Sequence, residues 1–204
     1  MSKAFPPGSD APLAAGGEIS QLVQLRGFRT FAATVRHIQG LPYGRTSKMD
    51  YRLVLTEGRG TCSSKHALLA ALAQENELAV KLTLGVYEMT ETNTPGVGKV
   101  LASSGLSSIP EAHCFLRTAF SVIDVTMPGE ALSAAERVFL HEEVIGPADV
   151  GAYKTSVHRR VLANWLYATG RSSFGLDAAW AVREACIAAL SGEAPKPSST
   201  LQAS

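Results

Sequence analysis

The residues best suited to chemistry lie where a glycine-containing turn leads into an apolar helix. Residues 58–66 read Gly-Arg-Gly-Thr-Cys-Ser-Ser-Lys-His, and residues 67–73 continue as Ala-Leu-Leu-Ala-Ala-Leu-Ala. Thr61 is suited to cap the start of a helix, which places Cys62 in its first turn. The free N–H groups and the positive end of the helix dipole stabilise a thiolate at that position. The sequence therefore predicts a reactive thiol at Cys62.

A thiol nucleophile needs a base within hydrogen-bond reach, and the base needs a partner that fixes its tautomer. The alternating apolar pattern predicts two strands, over 111–118 and 120–127, which carry His113 and Asp124. A two-residue turn at 118–119 would place the two side chains directly opposite each other, with their Cβ atoms about 5 Å apart. The sequence therefore predicts a histidine–carboxylate pair beside the thiol.

The order of these motifs resembles the transglutaminase-like superfamily of papain-like cysteine enzymes. The resemblance covers about residues 55–130 and rests on Gly-x-Cys at a helix start, a histidine on a strand and Asp-x-Thr on the next strand. It implies Cys62 as nucleophile, His113 as base and acid, Asp124 as orienting group, and no cofactor. It also implies an α+β fold with a papain/transglutaminase-like core, in which the cysteine-bearing helix packs on a small antiparallel sheet between flanking N- and C-terminal helices.

The chain also departs from that superfamily. No tryptophan or glutamine precedes Cys62 where such enzymes often supply an oxyanion donor, and the usual tryptophan does not follow His113. These departures fit a small bacterial-type outlier better than a protein-crosslinking enzyme. The expected activity is cysteine-dependent acyl transfer from a peptide or small amide, as peptidase, amidase, deamidase or transamidase.

Four further residues are candidates for contacting a substrate: Tyr43, Arg45, Arg59 and His66. The first three lie near Cys62 in the sequence and are candidates for the second oxyanion donor. The two arginines and Lys65 could equally hold an anionic substrate or be ordinary solvated charges. His66 follows Cys62 by one helical turn, which allows a role as ligand or second base as well as a packing role.

Two other functions remain open at this stage. Cys62, His66, His113 and Cys114 offer soft ligands of the kind that zinc prefers, so a metal site is one alternative. A binding module that keeps the fold without the chemistry is the other.

Composition sets broad limits. The 204 residues are enough for one domain with a substantial core, and 46% hydrophobic with 18% charged residues is typical of a globular protein. A net charge of +1 gives no general attraction to nucleic acid or to anionic membranes. No apolar stretch reaches the about 18 residues that suggest a membrane span.

The cysteines and the N-terminus bear on the compartment. Residues 1–17 lack the basic and apolar regions of a signal peptide. The chain has three widely spaced cysteines, Cys62, Cys114 and Cys186, and the last two lie in apolar surroundings typical of a core. An odd number without an export signal predicts reduced thiols in the cytoplasm.

The remaining pattern predicts the domain organisation. Residues 1–17 are expected to form a flexible leader, 18–190 one domain and 191–204 a disordered tail. The core of the domain is expected at about 55–130, followed by a helical part at 131–190.

Two segments within the domain carry expectations of their own. The long connection 90–110 is rich in Gly, Ser, Thr and Pro, which is typical of a binding loop or lid. Periodicity predicts helices over 131–143 and 154–169, with Lys154 and His158 on the solvated side of the second helix.

Overall fold

The computed structural model describes residues 5–119, 121–129 and 137–191, and this part of the chain has a mixed α+β fold. Its seven α-helices are α1 Glu18–Leu25, α2 Phe31–Gly40, α3 Leu53–Glu57, α4 Cys62–Glu75, α5 Gly98–Ser103, α6 Ala152–Ala168 and α7 Leu176–Ser191. Its four strands are β1 Lys81–Met89, β2 Ile109–Arg117, β3 Val122–Ile123 and β4 Phe139–Ile145. Short 3-10 turns occupy Pro147–Val150 and Ser172–Phe174.

Helix α4 is the central helix, and its start is fixed by a capping box. The Ser64 N–H donates to the Thr61 hydroxyl, and the Thr61 N–H donates to the Ser64 hydroxyl. The body of the helix is apolar on every side, so it is buried on every side. A Cβ on Gly60 would lie 2.8 Å from Cγ of Lys65, so the turn before the helix has room only for glycine.

The sheet is antiparallel, with strand order β3-β2-β1-β4. β1 and β2 pair along their whole length, and α4, α6 and α7 all contact β2. Leu84 and Cys114 belong to the main core cluster with α4, whereas Met89 belongs to a second cluster with Trp165 and Cys186. The sheet thus separates two apolar cores.

The hairpin between β2 and β3 differs in register from the sequence-based expectation. Leu116 pairs with Ile123, so residues 118–121 connect the strands and the predicted two-residue turn is wrong. The sequence has no Asn-Gly or similar pair to build the tighter turn. The predicted strand over 120–127 is also wrong in length, because β3 is Val122–Ile123 and Asp124 follows its end. The Asp124 carboxylate nonetheless contacts His113, at 2.6 Å.

Strand β4 replaces part of a predicted helix. Of the segment 131–143, residues 131–136 lie outside the described residues, and the helix expected beyond them is instead a strand, Phe139–Ile145. Its side chains alternate between half-buried and exposed, which is the pattern of a sheet edge. The Phe139 ring stacks on Phe115 and covers Gly85, where an added Cβ would lie 2.3 Å from the ring.

The N-terminal segment lies against the domain wherever it is described. Pro12 forms a β-bridge with Thr30, the Leu13 N–H donates to Arg29 O, and Leu13 is buried in the main core. The proposed tail lies almost wholly outside the described residues, apart from Ser191 at the end of α7.

The connection 90–110 is also partly structured. It contains α5, and its Val97 and Leu101 are buried in the second core cluster. No described helix combines the length and the apolar character needed to cross a membrane.

Candidate active site

The short length of β3 positions the candidate site. β3 pairs with only two residues of β2, so the preceding part of that edge remains available to another element. The first turn of α4 fills the place, and the Cys114 backbone N–H donates a hydrogen bond to the Cys62 sulfur. Cys62 is the first residue of α4, and the first N–H groups of a helix have no acceptor within it. The thiol therefore lies among backbone donors that favour its anion.

The three residues predicted as a triad are brought together. His113 Nε2 lies 2.6 Å from Asp124 Oδ2, and the His113 imidazole is close enough to Cys62 for its hydrogen bond and charge to lower the pKa of the thiol. Because Asp124 occupies Nε2, Nδ1 is the ring nitrogen left for the thiol. The other carboxylate oxygen, Oδ1, accepts from the Thr126 backbone N–H at 3.0 Å and from its hydroxyl at 2.5 Å. The orienting carboxylate is thus itself held in place.

The charges at the site favour a thiolate–imidazolium pair. Burial opposes ionisation of Cys62, but the nearby ammonium of Lys154 and the bond and charge of His113 outweigh it and lower the pKa of Cys62 to about 6. Burial also opposes the imidazolium, but Asp124 and the thiolate outweigh it and raise the pKa of His113 to about 9. Near neutral pH the thiol is therefore ionised and the imidazole protonated.

Aromatic rings enclose the His113 imidazole. The Tyr87 ring meets it edge-on at 6.3 Å between centroids, and the Phe115 ring stacks at 6.1 Å. Tyr87 also bonds through its hydroxyl to Thr94, at 3.0 Å. The connection 90–110 thus reaches the site through Tyr87.

Lys154 is a site residue that the sequence-based reasoning placed wrongly. It was expected on the solvated side of its helix but is only 8% exposed, with Nζ 2.7 Å from Ser63 Oγ and 3.8 Å from Cys62 Sγ. His158, expected beside it in solvent, is also buried, and its Nε2 donates to a backbone carbonyl at 2.8 Å. Lys154 lies three residues before apolar Val157, and His158 lies three residues before apolar Val161; that helical spacing is the signal that could have placed them inward.

The candidate substrate-binding residues divide into two groups. Tyr43 is half-buried close to the site, where burial and the charge of Cys62 raise its pKa. Arg45 and Arg59 are largely exposed. Arg45 pairs with a carboxylate of α7 at 2.6 Å, and Arg59 lies 3.7 Å from Glu57. The effect of the Cys62 charge on its pKa places the Tyr43 phenol beside the site.

His66 holds the site together from within. It is fully buried; its Nδ1–H donates to the Cys62 carbonyl at 2.7 Å, and its Nε2 accepts the Val125 N–H at 2.9 Å. Burial lowers the pKa of His66 to about 4, so the ring is neutral despite Asp124 Oδ1 lying 3.6 Å from Nε2. Both nitrogens are engaged within the protein, so in this structure His66 has no ring nitrogen left for a substrate.

Lys65, like His66, connects the first turn of α4 to the segment that follows Asp124. Its side chain is fully buried, and Nζ donates to the backbone carbonyls of Leu41, Val125 and Thr126 at 2.6–3.1 Å. Together with the His66 bonds, these contacts tie the first turn of α4 to the chain that carries Asp124. The triad geometry therefore depends on residues of α4 that take no part in the chemistry.

A buried ion pair lies behind the site. Arg183 of α7 donates to both carboxylate oxygens of Glu111, each at 2.6 Å. Burial opposes the charge of the carboxylate, but Arg183 outweighs it and lowers the pKa of Glu111 to about 2. The guanidinium and the carboxylate therefore form a bidentate ion pair in which each charge neutralises the other.

The other two cysteines are inert by comparison. Cys114 and Cys186 are fully buried and free, and burial raises the pKa of each to about 11. Within the described residues, no group of three or more His, Cys, Asp or Glu side chains is placed so that it could hold a metal ion. The geometry therefore gives the zinc alternative no support.

Comparison with known proteins adds no relative. No model of a protein family matches the chain, and neither the curated proteins nor the solved structures contain a match.

Proposed function

We propose that this protein is a cysteine-dependent acyl-transfer enzyme that acts on an amide bond of a peptide or small molecule. It would use Cys62, His113 and Asp124 as a catalytic triad on a papain/transglutaminase-like core. The observation that carries the proposal is the continuous contact from the Cys62 sulfur through His113 to Asp124 at the start of a buried helix. A reduced thiol is required, so we place the protein in a reducing compartment such as the cytoplasm.

In the first half-reaction the Cys62 thiolate attacks the amide carbonyl carbon. A carbon–sulfur bond forms, the carbonyl electron pair moves to oxygen, and the Cys62 N–H is in position to donate to the resulting oxyanion. When the intermediate collapses, the carbon–nitrogen bond breaks and the imidazolium of His113 protonates the leaving amine. The products are a free amine and a thioester on Cys62.

In the second half-reaction His113 is neutral and acts as a base. It accepts a proton from water or from an acceptor amine as that group attacks the thioester. The thiolate leaves, and the proton that His113 has taken up restores the starting ion pair. Asp124 stabilises the imidazolium in both half-reactions and keeps Nδ1 directed at the sulfur.

The proposal is tested by acylating the protein with p-nitrophenyl acetate. Wild type and the Cys62→Ala variant are compared by p-nitrophenolate release and by mapping the acetyl group to a peptide. We expect wild type to release p-nitrophenolate catalytically through acetyl-Cys62, and the variant to lack this activity. Adding hydroxylamine as an acceptor amine separates transfer from hydrolysis.

The same preparations are treated with an iodoacetamide-based thiol probe. Cys62 should be labelled before Cys114 and Cys186, because only its pKa is lowered. If Cys62 is labelled no faster than Cys186 in the folded protein and is not acetylated, the enzymatic proposal is wrong. A non-catalytic binding module would then be the better account.

A further inference from the structure

Two buried lysines lie beside the site, and they differ in how completely they are bound. Lys65 donates to three backbone carbonyls, which uses all three of its N–H donors. Among the described residues, Lys154 donates to two partners, the Ser63 hydroxyl and the Cys62 sulfur. All three N–H donors of Lys65 are therefore bound within the protein, whereas Lys154 keeps one N–H donor for another group.

Three pairs of opposite charges are buried at the site, and Lys65 is a further buried cation that backbone carbonyls hold instead of an anion. The three pairs are Asp124 with His113, Glu111 with Arg183, and Cys62 with Lys154. The first two are direct contacts at 2.6 Å, and the third is the longer contact of 3.8 Å between nitrogen and sulfur. The Cys62 thiolate is thus the anion that pairs with Lys154.

Acylation removes that charge. A thioester on Cys62 is neutral, so Lys154 loses the anion that it contacts, and its remaining partner is the uncharged Ser63 hydroxyl. Asp124 loses its cation at the same step, when His113 gives up its proton, but its carboxylate contacts His113 and Thr126 and not Lys154. A buried ammonium is strongly unfavourable unless an anion or a full set of hydrogen-bond acceptors lies beside it. The charge of Glu111 also acts on Lys154, but without contact, because Arg183 binds both of its oxygens. A substrate that carries its own anion next to the scissile carbonyl restores the match.

We propose that Lys154 binds a carboxylate of the substrate, so that the preferred substrates are amides whose acyl part carries a carboxylate close to the scissile carbonyl. This inference rests on the proposed function and names its substrate class. Lys154 Nζ and Ser63 Oγ are the two groups that would hold the carboxylate, since both lie beside the sulfur that attacks. The requirement lasts through the thioester stage, which a transient oxyanion would not satisfy.

The test compares two alkylating reagents that differ only in charge at the relevant position. Iodoacetate and iodoacetamide both transfer their CH2 carbon to the thiolate with loss of iodide, but iodoacetate carries a carboxylate on that carbon. The rate of each is measured at Cys62 by peptide mapping, and the iodoacetate/iodoacetamide ratio is taken. The same ratio in urea-unfolded protein serves as the reference. Any change in the amount of thiolate affects both reagents equally and cancels in the ratio.

We expect the folded protein to favour iodoacetate by at least about fivefold relative to the unfolded reference, the factor that an ion pair over about 4 Å gives even at the dielectric constant of water. Lys154→Met and Lys154→Gln should both lose this preference, whereas Lys154→Arg should retain part of it. Lys99→Met is the matched control, because it removes the same charge from an exposed position on α5. It should behave as wild type.

Two results would overturn the inference. One is a wild-type ratio equal to that of the unfolded protein. The other is a ratio that Lys154→Met and Lys154→Gln leave unchanged, which would limit Lys154 to stabilising the thiolate. Failure of the proposed function looks different, since Cys62 would then react no faster than Cys186 with either reagent.

Discussion

Replacing His113 by alanine tests whether the imidazole activates the thiol. In wild type the pKa of Cys62 is about 6, so the thiol is largely ionised at pH 7. The variant loses both the hydrogen bond and the charge of His113 but keeps Lys154. We expect the pKa of Cys62 to rise toward the about 8.5 of a free thiol.

The decrease in the reaction rate of Cys62 that His113→Ala causes depends strongly on the pH at which the rate is measured. A full rise to about 8.5 lowers the thiolate fraction at pH 7 about thirtyfold. A more basic thiolate is also a better nucleophile. With a Brønsted coefficient of about 0.45 its intrinsic reactivity rises about tenfold, which offsets part of the loss of thiolate. The net decrease at pH 7 is then only about two- to threefold, whereas at pH 5.5 it is about twentyfold. The midpoint of the pH profile is therefore a better measure than one rate.

The assay is the second-order rate of Cys62 alkylation by iodoacetamide between about pH 4.5 and 9.5, read by peptide mapping. The wild-type midpoint should lie near 6 and the His113→Ala midpoint well above it. Asp124→Asn is the graded control, since it keeps the imidazole and removes the charge that stabilises its protonated form. Its midpoint should fall between the other two. Equal midpoints in wild type and His113→Ala would refute the assignment of His113 as the activating base.

Two further predictions concern stability. Gly60→Ala should lower the free energy of unfolding by about 1–3 kcal/mol, since the new Cβ would press against Lys65, Ser64 and Val54. Gly40→Ala, which has open space, should change it by under about 0.5 kcal/mol in the same urea titrations. In wild type, the Cys62–His113 pair should leave the free energy of unfolding nearly constant between about pH 6.5 and 8.5. Over the same range Cys62→Ala should become less stable as the pH rises.

The site could be predicted from sequence where it depends on local rules. The Thr61 cap and the apolar run after it place Cys62 in a first helical turn, and the structure has α4 beginning there. The contact between His113 and Asp124 was also predicted, although Asp124 follows the end of the two-residue β3 and does not lie opposite His113 within a strand. Local rules thus recover the geometry of the three residues even though the turn between the strands was wrong.

The rest depends on contacts between segments far apart in the chain. Lys154 is 91 residues from Ser63, and a lysine on a helix is normally a solvated charge. Helical spacing could have placed Lys154 on the inner side of α6, but only the packing of α6 against β2 and the contacts of Lys154 with Ser63 and Cys62 show that it lies beside that thiol. Strand β4 was missed for a similar reason, since it is defined by pairing with the edge of β1.

The expected independence of wild-type stability from pH follows from counting the protons on the Cys62–His113 pair. In the folded protein the pair holds one proton between about pH 6 and about 9, and it lies on the imidazole. In the unfolded chain the pair also holds one proton between about pH 6.5 and 8.5, but there it lies on the thiol. Equal proton counts give no slope of stability with pH.

The two groups taken singly act in opposite directions. The raised pKa of His113 contributes stability that is present below about pH 6.5 and is lost as the pH rises through about 9. The lowered pKa of Cys62 contributes stability that is present above about pH 8.5 and is lost as the pH falls through about 6. In Cys62→Ala the part of the first contribution that Asp124 supplies stands alone, so stability should fall with rising pH. If wild type and Cys62→Ala have the same slope between pH 6.5 and 8.5, the two groups do not share a proton, and the ion pair at the centre of the proposed mechanism is absent.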